Sequence, residues 1–372
     1  MPHNALAPTQ FGREISNDVS VSVGGQSFSG WQSLSITESL ESIANEFSIS
    51  LFDKFEGLRA AWPLKPGVDI NVNIGRERVL TGHLENLQVD YTSERRGFAI
   101  SGRSNSGDLV DSMHIGPSEY KNILLNTLAE ELVKPFGIKV FVSVVPKIID
   151  KFAVKPGETI FEALDRAARA QGLLFIATRG GNIRLTKAGA TELRFRASSS
   201  LEQDVNILSA SATYDDSHRH DRYIVKAQTI GLEGFSGLDA AQAEGEAQDS
   251  GITRHRPLIM IAESKADSGK AQTRAQWEAS TRLAKAIRVS VLVPGWLQQD
   301  GSLWGANQIV NFKSAFLGLN RKLLIVNVTR TQGAERVQET TLTLTDPQAY
   351  KTEPVVNQKN SDDIFADLGS EF

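Results

Sequence analysis

Two histidines one residue apart occur in Asp215-Asp216-Ser217-His218-Arg219-His220-Asp221. In an extended segment His218 and His220 would project to the same side, an arrangement that can ligate zinc or nickel. The arginine between them and the run of turn-forming residues instead favour a solvated turn between two strands, and the segment is read that way. His83, His114 and His255 are isolated from one another and read as ordinary surface or core histidines. Nucleophilic catalysis needs a base beside a Ser, Thr or Lys. There is no Gly-x-Ser-x-Gly elbow, and Ser118-Glu119-Tyr120-Lys121 meets the Ser-x-x-Lys pattern by spacing alone. Gly180-Gly181 lacks the later glycine and lysine of a phosphate-binding loop and reads as a hairpin turn. Glu130-Glu131 are adjacent, so on a helix they point about 100° apart and cannot face each other across a sugar. No catalytic residue, no cofactor and no enzymatic activity is assigned. His218 and His220 are the sole metal candidates.

Composition excludes wholesale disorder and a collagen-like fibre. The 372 residues are 40% hydrophobic and 23% charged, an ordinary globular balance with room for more than one domain. The formal net charge of −4 gives no general attraction to nucleic-acid phosphates. With no cysteine there are no disulfides, thiolate zinc sites or thiol nucleophiles. The first residues show neither a basic n-region nor an apolar h-region, so no secretory signal is expected. The aliphatic stretches near Leu173–Ala177 and Leu258–Ala262 are too short to span a bilayer, so no membrane insertion is expected.

The elements that must carry any function are mainly strands. Val19, Val21 and Val23 alternate with serines before Gly24-Gly25. Leu34 and Ile36, then Phe47, Ile49 and Leu51, then Val68, Ile70, Val72 and Ile74 repeat that period of two. A long strand, Val79–Tyr91, places Leu87, Val89 and Tyr91 on one face, and Phe98 and Ile100 return beside it. Many short strands with turns between them predict a sandwich or small barrel over residues 15–106. Residues 107–200 read as an α/β domain. A helix is expected over Tyr120–Val133, with a second behind Pro156-Gly157 and a capping box at Thr159 and Glu162. Strands resume at Val205–Tyr214 and Arg222–Thr229. Gly231–Gly251, rich in Gly, Ala, Glu and Gln, is expected to be a loop, and Ser268–Ala286 a helix. The order strand, long strand, return strand at 68–102 is echoed at Ile309–Phe312, Lys322–Gln332 and Arg336–Thr345, which suggests a second copy of the first β-domain over 201–230 and 286–350. Residues 231–285 form a loop and helix insertion, and 351–372 a tail.

Phe152–Ile160 is similar to the opening of LysM glycan-binding modules, which leaves a peptidoglycan-binding or peptidoglycan-degrading tail-associated protein as the alternative reading. A longer resemblance covers nearly the whole chain. Gly30-Trp31 with Ser39-Leu40-Glu41-Ser42, Thr81-Gly82-His83-Leu84, Gly102-Arg103 with Asp108-Leu109-Val110-Asp111, and Pro135-Phe136-Gly137 follow one another. Gly157-Glu158-Thr159-Ile160-Phe161-Glu162-Ala163-Leu164 comes next, then Arg256-Pro257-Leu258-Ile259-Met260-Ile261-Ala262. Gly295-Trp296, Asp300-Gly301-Ser302-Leu303-Trp304 and Asn307 close the series. In this order the motifs resemble those of the baseplate hub proteins of Mu-like contractile-tailed phages. The Gly157–Leu164 match also undercuts the LysM reading. His83 stands where the family has Tyr, Ser104 where it has an acid, and Ala306 where it has Pro.

The resemblance implies an α+β, mainly β fold. Two tube-like β-barrel domains, with α/β domains attached, would assemble as a homotrimeric ring. Six similar barrels in three chains would adapt a six-fold tail tube to a three-fold spike. The implied partners are further copies of the chain, the central spike protein, the tail tube or a tube-initiator protein, and baseplate wedge proteins. Phage DNA would pass only as cargo through the lumen. The implied location is the virion's tail baseplate, with the host cytoplasm during assembly.

Overall fold

The computed structural model describes residues 19–350 except 24–25, 29–30, 54–64, 93–95, 190–199, 229–241, 262–267, 334 and 336. The turn at Gly24-Gly25, the start of the Gly231–Gly251 segment and the tail from 351 lie outside the described residues. The first seven strands are β1 (Val19–Val23), β2 (Gln26–Phe28), β3 (Ser33–Ser39), β4 (Glu46–Asp53), β5 (Asp69–Ile74), β6 (Glu77–Tyr91) and β7 (Arg96–Ser104). Period-two alternation sets their inner face. Val19, Val21, Ile36, Phe47, Ile49, Ile70, Val72 and Ile100 are buried in one core while the residues between them face outward.

An α/β block follows: α1 (Asp108–Asp111), β8 (Glu119–Leu124), α2 (Leu125–Val133), β9 (Val140–Val142), β10 (Ile148–Ala153), α3 (Ile160–Arg169), β11 (Leu174–Ala177) and β12 (Ile183–Thr186). Leu125, Leu128 and Leu132 of α2 pack with Ile160, Leu164 and Ala168 of α3. The capping box is present: Thr159 Oγ1 accepts from Glu162 N at 3.2 Å, and Thr159 N donates to the Glu162 carboxylate at 2.8 Å. The helix expected from Tyr120 begins only at Leu125. Residues 119–124 are extended and pair with β10, and Asn122, at φ 50°, adopts a left-handed conformation no helix contains. Leucine spacing there marks the helix, but cross-strand pairing of Tyr120 with Phe152 outweighs it at the start.

The chain then forms β13 (Ser200–Glu202) and β14 (Ser209–Tyr214), leaves the sheet for β15 (Arg222–Gln228), β16 (Gln242–Gln248), β17 (Pro257–Ile261) and α4 (Ser268–Lys285), and returns as β18 (Ile287–Pro294), β19 (Ile309–Ser314), β20 (Leu319–Gln332) and β21 (Gln338–Thr345). Part of the expected loop at 231–251 is therefore strand. Within β16, Ala243, Gly245 and Ala247 make a small-residue surface on which α4 lies. A Cβ at Gly245 would collide with the backbone of Ala271 and Gln272. Gln272 also bonds both backbone groups of Glu246, at 3.0 and 2.7 Å.

The internal echo is a repeat of topology. Five strands of the first part run in the order β3-β4-β7-β6-β5, and five of the second in the order β14-β18-β21-β20-β19. Even the irregularities match. β6 bulges at Glu85 where it pairs with β7, and β20 bulges at Val326 where it pairs with β21. Below the bulge, Gly67 and Val68 bond the two backbone groups of Leu84, as Asn307 and Gln308 bond those of Ile325. Gly67 and Asn307 both have positive φ, at 89° and 67°. The strand Ser33-Leu34-Ser35-Ile36-Thr37 corresponds to Ser209-Ala210-Ser211-Ala212-Thr213.

The two copies belong to one 13-stranded sheet, because β20 pairs with β3. Among the described residues neither copy closes into a complete ring of strands, so the expected barrels are open halves of a shared sheet.

Gly102 faces the carbonyl of His83 so closely that a Cβ there would collide with backbone. Gly102→Ala is expected to cost roughly 1–3 kcal/mol in urea unfolding through forced backbone displacement. Glu158 is held below the ordinary glutamate range by hydrogen bonds from Arg166, against the opposing effect of burial. A depressed carboxylate stabilises the fold at neutral pH, and that contribution disappears as acid protonates it. Glu158→Gln should thus lower stability by about 1 kcal/mol at pH 7. The difference from the parent chain should shrink as pH falls below the ordinary glutamate pKa of about 4.3.

Candidate functional site: the seam between the two copies

The seam is built on the C-terminal half of β20. Its pairing with β3 runs from Asn327↔Ser39 to Gln332↔Leu34, with Thr37 Oγ1 and Thr329 Oγ1 3.2 Å apart on one face. Leu40 N continues the ladder to Val326 O at 2.7 Å. On the other face, inward positions that alternation would fill with aliphatic residues carry Glu38 and Arg330. Arg330 is fully buried, and its guanidinium donates to Glu38 at 2.9 Å and to the carbonyl of Trp304. Arg179, from the β11–β12 turn, donates to the same Glu38 oxygen at 3.1 Å and to Trp304 O at 3.2 Å. Burial pushes the Arg330 guanidinium below the ordinary arginine range, with Glu38 opposing that shift. One carboxylate thus gathers the first copy, the second copy and the α/β block at a single point.

Further ties converge nearby. Trp296, fully buried, belongs to the core of the first copy although its chain segment follows β18, and its Nε1 donates to Thr331 O at 3.1 Å. Asn307 accepts from Gly189 N at 2.6 Å and donates to Lys187 O at 3.0 Å, fixing the end of the α/β block to the second copy. Glu41 receives Arg288 at 2.8 Å and Tyr350 at 2.7 Å. Burial acts against ionisation there, but the two bonds hold Glu41 below the usual carboxylate range.

The residues that could do chemistry are dispersed. Residues 215–221 form a turn. His218 is exposed, whereas the His220 ring lies on Tyr223 and its Nδ1 is 3.1 Å from Arg256 O. Burial lowers the His220 pKa from the ordinary histidine value. Between them, Arg219 is clamped by Asp249 at 2.8 and 2.9 Å. Among the described residues no group of three His, Asp or Glu side chains is placed to hold a metal ion. His83 lies 3.1 Å from Asp69, His114 pairs with Tyr120 OH at 3.1 Å, and His255 is 3.7 Å from Asp221, all apart from one another. Ser118 precedes β8, and Lys121 lies within it, paired across to Lys151. Glu130 and Glu131 both face solvent on α2. Glu130 also borders a shallow cleft of about 490 Å3 with Lys134, Gly137, Ile138 and Val140, which brings no second acid opposite it.

Sequence pattern alone does not single out Glu38, Arg330 or Arg179. The available signal was a charged residue at an inward position of a period-two run, in Ile36-Thr37-Glu38 and Val328-Thr329-Arg330.

Comparison with known proteins places the geometry in context. Residues 18–104 match the family model for the N-terminal domain of Mu phage baseplate assembly protein GpP-like proteins. Residues 106–187 match the second domain of baseplate hub protein gp44-like proteins, and 267–353 the fourth domain of Mu phage baseplate assembly protein GpP. The chain is 31% identical over 348 residues to the baseplate hub protein gp44 of Escherichia phage Mu, covering 91% of this chain and 87% of that one. It is similar to the 43 kDa tail protein of prophage MuSo2 from Shewanella oneidensis, with a TM-score of 0.78, 28% identity and coverage of 90% and 99% of the two chains. A tail protein from Neisseria meningitidis MC58 shares the fold at a TM-score of 0.73 and 20% identity, over 90% of this chain and 99% of that one.

Arg330→Met removes one cation from a buried carboxylate and should cost about 3 kcal/mol in urea unfolding. Replacing both charges, as Glu38→Leu with Arg330→Met, should recover much of that loss, because the desolvation of the pair disappears with it. A double variant as unstable as the two single losses combined would show instead that packing, and not charge pairing, holds the seam.

Proposed function

Because the chain belongs to the baseplate hub family of Mu-like phage tails, a component of the virion's tail baseplate, we propose that it works as a homotrimeric ring. In this reading the ring joins the six-fold tail tube to the three-fold spike and leaves a lumen for DNA. The observation that carries the proposal is the repeated five-strand unit, matched down to its bulge, with the two copies joined edge to edge. A chain with two like units can present six similar positions from three copies, and this resolves the mismatch between a tube of six-fold and a spike of three-fold symmetry.

The same reading gives the chain a structural role without catalysis. Its polar clusters are spent on holding domains together: Glu38 between Arg179 and Arg330, Asn307 between Lys187 and Gly189, and Glu41 between Arg288 and Tyr350. The spike, the tube or its initiator, and the wedge proteins are the proposed neighbours, with DNA as passing cargo.

Light scattering over a range of concentrations tests the ring. The expected species has three times the 40.6 kDa chain mass and persists on dilution. A monomer that stays monomeric when mixed with the neighbouring spike protein would overturn the proposal.

A further inference from the structure

We infer that β6 of one copy of this chain pairs antiparallel with β14 of the next, with Gln88 opposite Thr213. The inference rests on the ring proposed above and specifies the register of its intersubunit seam. The template lies within the chain itself. β20 and β6 occupy the same place in the two copies, as do β3 and β14. Inside the chain the C-terminal half of β20 is paired on one edge by β21 and on the other by β3. The corresponding half of β6, beyond its bulge, is paired by β7 alone among the described residues, and β14 is likewise paired by β18 alone. Among the described residues each chain therefore uses one such seam internally and leaves one half of a second seam open on β14, at one end of the sheet, and the other on the half of β6 that β5 does not reach. Open edges of this kind pair with another chain unless they are covered.

The shared bulges fix the register. Counting outward from Glu85 in β6 and Val326 in β20 aligns Gln88 with Thr329. The ladders to β4 and β18 align Thr213 with Thr37. The observed pair Thr329↔Thr37 then becomes Gln88↔Thr213 between chains. Period two does the rest. Leu87 comes opposite Tyr214, Val89 opposite Ala212 and Tyr91 opposite Ala210, all on one face. That face is apolar on both partners, while a slip of a single residue would set it against the polar side. Val89 and Tyr91 are 54% and 84% exposed, whereas Arg330, which takes the place of Val89 in the internal seam, is 0% exposed beneath β3. The missing neighbour accounts for the difference. The internal seam carries a buried ion pair, and the intersubunit seam would be closed by aliphatic and aromatic contact.

The chain contains no cysteine, so paired cysteines read the register directly. Full-length Val89→Cys/Ala212→Cys, oxidised and run without reductant, should link into a covalent trimer of three times 40.6 kDa. An intrachain bond is not available, since six strands separate β6 from β14 within one sheet. Directly opposed Cβ atoms lie within disulfide reach, whereas diagonal neighbours about 7–8 Å apart do not. Val89→Cys/Tyr214→Cys, displaced by two residues, should therefore stay unlinked. A trimer by light scattering that links only in the displaced pair, or in neither pair, overturns the register and leaves the ring standing. A chain that neither links nor associates at any concentration, with or without the spike, overturns the register and the ring together.

Discussion

Edge-to-edge pairing of β3 with β20 is the constraint on which the rest of the molecule depends. An exposed strand edge has unsatisfied backbone donors and acceptors, and a protein must pair, cover or blunt it. Here the C-terminal half of β20 is met by the first strand of the other copy, so two five-strand units become one sheet. The pairing brings Glu38 and Arg330 together on its inner face, where neither charge could remain alone. Arg179 and the Trp304 carbonyl are drawn to the same point by the same need, and with them the α/β block and the β18–β19 connection. The order of causes runs from strand edge to charge pair to domain arrangement.

A second constraint is geometric. The long strands β6 and β20 must each serve two sets of neighbours, one along the first half and another along the second. The bulges at Glu85 and Val326 lie where that exchange happens, and a bulge both interrupts a ladder and increases local twist. Gly82 and Gly102 flank the same place in the first copy, since their missing side chains let β6 and β7 approach closely. Thr81-Gly82-His83 and Gly102-Arg103, read from sequence as family motifs, are thus the residues of a strand crossing. His83 takes part as a neighbour of Asp69, away from the other histidines.

Much of this architecture is legible in the sequence, because alternation in Val19–Val23, Val68–Ile74 and Val79–Tyr91 is strong and local. The echo of strand, long strand and return strand was legible for the same reason. Its other half was hidden. Ser33–Thr37 and Ser209–Thr213 are alike, but β14 is separated from β18 by the β15–α4 excursion, while β3 meets β4 after a short turn. Leucine spacing sets the start of α2 too early because it carries no information about a partner strand such as β10. The part of the 231–251 segment that forms β16 reads as loop because small residues that seat a helix look, in one dimension, like residues that seat nothing. The seam charges are hidden in the sequence because a lone Glu or Arg in an alternating strand ordinarily faces water, and only the partner strand's position shows otherwise.

The excursion between β14 and β18 shows what the strand ladder tolerates. Both copies keep the bulge and the backbone clasp from Gly67 and Asn307, whereas the second alone places three strands and a helix between its first two strands. β14 and β18 still pair without a break from Ser209↔Leu292 to Tyr214↔Ile287, so the inserted block leaves and re-enters at adjacent ends of one ladder. In effect it is an enlarged hairpin loop, and lengthening a connection whose ends are already held together costs little entropy. That hairpin end is the place where this sheet can carry extra structure without changing its register.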